Sequence, residues 1–189
     1  MGKTFWSWRR GAANYATKGS AALQMVEEPE PVEIYTRGAM VTGAVISHGE
    51  RMSDILNHQN QLRVRAPRAL PYGDVDEVRS SGESSWETIE IDEILFVMPP
   101  THVTNPQRRV HRRQRRVLMR TGDFEILGQV HLLPGVELSP YALATHVRFM
   151  PVTKAAVRST IDPFWERNAD VILVNVRPLE DLREVVTIS

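Results

Sequence analysis

The chain has 189 residues and no cysteine, and its 23 Lys and Arg residues are balanced by 23 Asp and Glu residues. The length allows one large or two small domains, and the lack of cysteine excludes disulfides, thiol nucleophiles and cysteine-ligated zinc. The neutral charge excludes a general attraction to nucleic acid, and no segment has the roughly 20 apolar residues of a transmembrane helix, so we expect a cytoplasmic protein.

Residues 1–31 are predicted to be an extended N-terminal arm, because the prolines at its end disfavour a helix. Aromatic and basic side chains alternate near its start, and this pattern suits docking into a groove on a partner protein or peripheral contact with a membrane-bound complex. The alternative is that the rings pack on the protein's own surface. The predicted partner-binding residues are Phe5, Trp6, Trp8, Arg9 and Arg10.

Residues 32–100 are predicted to form a first β module, since apolar and polar residues alternate at Val32–Thr36 and again at Leu62–Arg65. Between them, Ser53 is expected to cap a short helix at Asp54–His58. Trp86 stands shortly before the last strand of this module.

Residues 101–116 form a basic linker, in which six arginines occur within nine residues. Residues 1–107 have 10 basic and 14 acidic residues, whereas residues 108–189 have 13 and 9, so the two parts carry about −4 and +4. The arginines therefore suit an acidic protein surface or self-association; nucleic acid and a merely solvated strand face are the alternatives. They are Arg108, Arg109, Arg112, Arg113, Arg115 and Arg116.

Residues 117–176 are predicted to form a second β module, and residues 177–189 a C-terminal tail with a short amphipathic helix at Pro178–Val185. The two modules contain similar stretches. In each, a glycine (Gly43 or Gly128) opens an apolar alternation, a second glycine turns the chain, and a serine four residues later precedes an apolar run. Such a long-period repeat predicts two copies of one structural unit that share a core.

The segment Gly43-x-Val45, followed by Gly49 and by Glu50–Asn57, resembles a family of uncharacterised bacterial domains. In those domains a glycine-turned strand pair leads into an Arg-Leu-Ser-Asp-x-Leu-Asn-like element. The second module keeps Leu138 and Ser139 but has Pro140 where the family has Asp. The resemblance implies a small β domain and no activity.

No catalytic motif is recognisable, so we expect no enzymatic activity and no cofactor. The six histidines lack zinc-site spacing, so we expect no metal, and there is no Gly-x-Ser-x-Gly elbow or phosphate-binding glycine loop. Arg112-x-x-x-Arg116 is similar to the start of PilZ barrels, which bind cyclic dinucleotides. However, Glu137–Pro140 does not supply their Asp/Asn-x-Ser-x-x-Gly element.

Together these patterns predict a mainly β (α+β) protein of two tandem, similar small β-sheet or barrel modules, each with a short helix, plus the extended arm. We expect a non-enzymatic structural or adaptor subunit that binds protein partners or forms a homo-oligomer, with the arm as a tether. The alternative is a nucleic-acid-associated factor that uses Arg108–Arg116.

Overall fold

The computed structural model describes residues 28–72, 79–80, 82, 85–99, 113–132, 134–135, 137–145 and 147–185. These residues form one antiparallel sheet of eleven strands, so the mainly β class is confirmed. The strands are β1 (Glu30–Thr36), β2 (Ala39–Val45), β3 (Gln61–Pro71), β4 (Arg79–Ser80), β5 (Trp86–Glu90), β6 (Ile94–Met98), β7 (Arg113–Thr121), β8 (Phe124–Leu132), β9 (Phe149–Ser159), β10 (Glu166–Asn175) and β11 (Asp181–Glu184).

The strand order is β11-β7-β8-β9-β10-β6-β1-β2-β3-β4, and β5 pairs with β3. We call β1–β6 the first half and β7–β11 the second half. In each half, the strand that comes last in the chain pairs with the strand that comes first, and five strands then lie side by side in one path. These paths are β6-β1-β2-β3-β5 and β11-β7-β8-β9-β10. The halves join where β10 pairs with β6.

Strands extend into two segments that were predicted to lie outside the modules. β1 begins at Glu30, within the predicted arm, and β7 begins at Arg113, within the predicted basic linker. In both cases the pairing with the next strand in the sheet continues over these residues. The end of the arm and the end of the linker therefore belong to the sheet.

A short helix, α1 (Met52–His58), follows β2, and a shorter one, α2 (Pro140–Ala144), follows β8. The prediction that Ser53 caps the first helix is wrong. The N-cap is Arg51, whose carbonyl accepts hydrogen bonds from the N–H groups of Asp54 and Ile55, and Ser53 lies inside the first turn. The helix begins two residues earlier than predicted, and its first residue, Met52, is buried in the core.

The predicted C-terminal helix at Pro178–Val185 is also wrong, since this segment contains β11. β11 pairs with the edge strand β7, from Asp181 opposite Arg120 to Glu184 opposite Val117. Pairing satisfies backbone groups along an otherwise open sheet edge, and Leu182 packs against the core. These long-range contacts outweigh the weak helical periodicity of a short segment.

Two apolar cores lie on opposite sides of the central strands, because successive side chains of a strand point to opposite faces. In β1, Ile34 belongs to the core that holds α1, whereas the neighbouring Tyr35 belongs to the core of the second half. In β10, Leu173 packs into the first of these cores, and Ile172 packs into the second. Each half therefore contributes side chains to the other half's core.

A β-bulge occurs at matching places in the two halves. Between the paired residues Thr42–Arg68 and Ala44–Arg65, Gly43 alone opposes two residues of β3. Gly128 opposes two residues of β9 in the same way. The first bulged residue has a positive φ in both cases, 47° at Ala66 and 49° at Lys154. The sequence repeat thus marks two copies of one backbone distortion.

Asn57, at the end of α1, connects the two halves. Its Oδ1 accepts hydrogen bonds from the N–H groups of Arg148 (2.8 Å) and Phe149 (2.8 Å), and its Nδ2 donates to the carbonyl of Phe149 (3.0 Å). The Arg148 side chain donates in turn to the carbonyl of Gln59, at 3.0 Å. These bonds hold the helix of the first half against the start of β9.

Candidate functional site

The most exposed apolar side chains of the described residues lie on the loop between β9 and β10. In this loop (residues 160–165, called the Phe164 loop), Phe164 is 96% exposed and Ile161 is 60% exposed. A fully solvated phenyl ring gains nothing from folding of the isolated chain. The loop is therefore the first place to look for a contact with another molecule.

Hydrogen bonds hold the Phe164 loop in one conformation. The Ser159 hydroxyl accepts bonds from the N–H groups of Ile161 (3.2 Å) and Asp162 (3.1 Å). The Asp162 carboxylate accepts one from the N–H of Phe164, at 3.0 Å. The N–H of Thr160 donates to the carbonyl of Asp123 in the β7–β8 turn, at 2.8 Å. Ser and Asp commonly stabilise turns in this way, and here they present Phe164 to solvent.

A pocket of about 220 Å³ lies beside this loop, and we call it the Trp165 pocket. Four of its ten lining residues are aromatic, and Trp165 packs edge-to-face against Tyr35 (ring centroids 5.7 Å apart) and Phe124 (5.4 Å). Edge-to-face packing is a preferred geometry for aromatic pairs. The lining residues are Tyr35, Met40, Leu70, Tyr72, Asp123, Phe124, Ser159, Ile161, Asp162 and Trp165.

The two tyrosines of the Trp165 pocket are held in their neutral form. Burial, followed by the charge of Glu33, raises the pKa of Tyr35 well above its usual value. Burial, followed by the charge of Asp123, raises the pKa of Tyr72 in the same direction. Their hydroxyls donate to the Glu33 carboxylate (3.0 Å) and to the carbonyl of Thr36 (3.2 Å). The phenols are therefore hydrogen-bond donors at neutral pH.

We expect the protein to lose stability as the pH rises above about 10, the usual pKa of tyrosine. The unfolded chain ionises these phenols at a lower pH than the folded protein, so their stabilising effect is complete below that pH and is lost above it. Tyr72→Phe should make the loss shallower. The measurement is urea unfolding at several alkaline pH values, with phenolate absorbance recorded in parallel. Normal titration of every tyrosine in the folded protein would contradict this expectation.

A second cleft, of about 470 Å³, lies between the end of β2 and the start of β5. Trp86 borders it, 39% exposed, and the Arg63 guanidinium lies over the indole ring, 5.1 Å from its centre. The turn that carries His48 and Gly49 has positive φ at both residues, 50° and 74°. This cleft mixes charges of both signs with apolar groups, so it does not indicate one ligand class.

The two tryptophans among the described residues, Trp86 and Trp165, have different surroundings. Trp86 lies on the surface beneath Arg63, whereas Trp165 is half-buried among aromatic rings. The predicted partner-binding residues Phe5, Trp6, Trp8, Arg9 and Arg10 lie outside the described residues, and so do Arg108, Arg109 and Arg112.

The other three predicted arginines lie on β7, and they do not form one basic surface. Arg113 and Arg115 share one face of the strand, whereas Arg116 lies on the other, as the alternation of a strand requires. Arg115 forms a salt bridge with Glu184 of β11. Part of the arginine run is therefore used to pair two strands.

Sequence reasoning missed the Phe164 loop and the Trp165 pocket. The segment Ser159–Phe164 contains an Asp-Pro pair, which is a turn signal. That signal predicts the turn but not the outward position of the phenyl ring. The pocket is assembled from β1, β2, β3, the β7–β8 turn and the Phe164 loop, so no short segment marks it.

Within the described ranges, no three His, Asp or Glu side chains are placed to hold a metal ion, and no helix is long enough to cross a membrane. Comparisons with protein-family models, curated proteins and solved structures find no match to this chain. The resemblance to the bacterial domain family therefore stays a prediction.

Proposed function

We propose that the protein is a non-enzymatic structural or adaptor subunit that self-assembles, and that the Phe164 loop is the centre of its contact surface. The observation that carries this proposal is the exposure of Phe164 and Ile161 on one hydrogen-bonded loop. Single exposed apolar residues are ordinary, but two of them on one loop, beside a pocket that is partly lined by aromatic rings, are typical of a surface that binds proteins.

A second copy of the chain is the proposed partner. A two-fold contact brings the same patch of both copies together. Asp162 of the loop and Arg167, at the start of β10, are both exposed and carry opposite charges. A chain with zero net charge does not repel its own copies. The opposite charges of residues 1–107 and 108–189 also favour association of copies.

Two parts of the sequence interpretation belong to this proposal. The halves are tandem copies of one module, and the matching strand paths and glycine bulges support this reading. The aromatic and basic arm residues Phe5, Trp6, Trp8, Arg9 and Arg10 act as an additional tether. No observation in the described residues favours the nucleic-acid alternative, because the arginines of β7 face both sides of the strand.

We expect Phe164→Ser to weaken self-association by about tenfold or more, as loss of a central aromatic anchor does in other interfaces. Sedimentation equilibrium of the full chain measures the effect. Because Phe164 is exposed in the single chain, the thermal unfolding temperature of dilute protein should not fall.

Trp86→Ser is the matched control, since it removes another exposed aromatic ring outside the Phe164 loop. A monomeric wild-type protein at its highest soluble concentration would contradict the proposal. So would equal association of wild type and Phe164→Ser. A triple alanine variant of Phe5, Trp6 and Trp8 measures the tether separately, and unchanged association in that variant would exclude the arm from the contact.

A further inference from the structure

We propose that the Trp165 pocket binds an organic cation that carries apolar groups, such as an alkylated ammonium. This inference goes beyond the proposed function, because such a ligand needs no second copy of the chain. It follows from three properties of one pocket: its aromatic lining residues, its two aspartates and its volume of about 220 Å³.

The walls suit the apolar part of such a ligand. Tyr72 and Trp165, both half-buried, each contact Phe124 edge-to-face, with ring centroids 5.4 Å apart in each pair. Methionine and leucine complete the apolar lining through Met40 and Leu70. Aromatic faces attract cations electrostatically through their negative quadrupole.

The charges of the lining have one sign. Two of its ten residues are aspartates, Asp123 and Asp162, and none is Lys, Arg or His. The charge of Asp123 contributes to the raised pKa of Tyr72, and the charge of Arg167, which lies outside the lining, partly opposes the raised pKa of Tyr35. One Asp162 oxygen accepts the N–H of Phe164, and a carboxylate can accept further interactions.

The same groups exclude the other ligand classes. An anion would be repelled by both carboxylates. A purely apolar ligand would gain nothing from the two carboxylates, because it carries no charge to attract them. A cation with methyl or methylene groups can interact favourably with the aromatic rings and with the carboxylates at the same time.

The test compares choline with 3,3-dimethylbutanol, which has the same shape and no charge. Calorimetric titration of the full chain should show millimolar binding of choline, with the alcohol at least about tenfold weaker, as desolvated cation–π and charge attraction predict. A short peptide with one trimethyllysine distinguishes a protein source from a free small molecule. Binding of the peptide at least tenfold tighter than choline indicates a protein side chain as the natural occupant.

Asp123→Asn and Asp162→Asn should each weaken choline binding severalfold. Both side chains are exposed and the replacements keep their size, so the fold should not change. Asp170→Asn is the control, because Asp170 is exposed and lies outside the pocket.

Every titration is repeated on Phe164→Ser, so that a second copy covering the loop cannot hide the pocket. Equal binding of choline and the alcohol, or no binding in either protein, would overturn the inference. Either result would leave self-association through the Phe164 loop untouched. Conversely, selective choline binding by a strictly monomeric wild type would support the pocket and contradict the proposed function.

Discussion

Gly43→Ala is expected to lower the free energy of unfolding by about 2–3 kcal/mol, and Gly128→Ala by a similar or smaller amount. A Cβ at residue 43 would lie 2.3 Å from Cγ1 of Val64 and 2.9 Å from the carbonyl oxygen of Arg65. At residue 128 it would lie 2.4 Å from Cγ1 of Val152. Since both valines are fully buried, neither has room to move away.

We expect Gly128→Ala to be no more destabilising than Gly43→Ala for a structural reason. At Gly128 the nearest backbone oxygen, that of Thr153, is 3.2 Å away, so the backbone needs to give by only a few tenths of an ångström there. At Gly43 the carbonyl oxygen of Arg65 is closer, so the backbone of β3 must move further. The measurement is thermal and urea unfolding, in which each kcal/mol lowers the unfolding temperature by about 2–4 °C.

Gly38→Ala is the matched control, because nothing lies within 4 Å of an added Cβ there and its φ is not positive. Its stability should stay within about 0.5 kcal/mol of wild type. If alanine were tolerated equally at residues 38, 43 and 128, the bulges would not be closely packed, and the described geometry would be wrong.

Asn57→Ala is expected to cost about 2–3 kcal/mol of stability, because it removes the acceptor of two backbone N–H groups, those of Arg148 and Phe149. Leaving partly buried donors without a partner is more costly than losing an exposed hydrogen bond. Hydrogen exchange should accelerate at these two amides in particular, since they lie where α1 meets β9.

Asn57→Asp separates the two functions of this side chain. It keeps an oxygen for the two N–H groups but loses the Nδ2 donor to the carbonyl of Phe149, so we expect an intermediate loss of stability. Asn60→Ala, at an exposed residue just beyond the helix, is the control and should change little. Wild-type exchange at Arg148 and Phe149 in Asn57→Ala would show that this contact does not hold the halves together.

The sequence predicted the local features best. The alternation at Val32–Thr36 in β1 and at Leu62–Arg65 in β3 is a period-2 signal that depends only on near neighbours. The repeated glycines Gly43 and Gly128 were also informative. Each lies opposite the two residues of a bulge, where an added Cβ would come too close to a buried valine. The motif that carries the family resemblance ends at Asn57, which the structure places at a contact between the halves.

The features that sequence did not predict depend on long-range contacts. β11 is a strand because β7 offers it an edge, and α1 starts at Met52, whose side chain is buried in the core. The Trp165 pocket joins Tyr35 to Trp165, which are far apart in sequence. Its position follows from the pairing of β10 with β6, and no local pattern encodes that pairing.

The pairing also explains how the fold positions the candidate site. Tyr35 is stacked on Phe96 of the neighbouring strand β6, with ring centroids 4.3 Å apart, and both rings pack edge-to-face against Phe124. Buried aromatic packing and a hydrogen-bonded loop mean that little conformational freedom is lost when the site is occupied. Such preorganisation favours binding over a site built on flexible loops.

Photo-crosslinking from residue 164 tests the central claim, self-association through the Phe164 loop, most directly. The phenylalanine analogue p-benzoylphenylalanine is placed at residue 164 in one sample and at residue 86 in the control. We predict a covalent dimer only from residue 164, with the cross-link mapped to the Phe164 loop or the Trp165 pocket of the second copy. Absence of that dimer at residue 164, or equal dimer yield from residue 86, would contradict the claim.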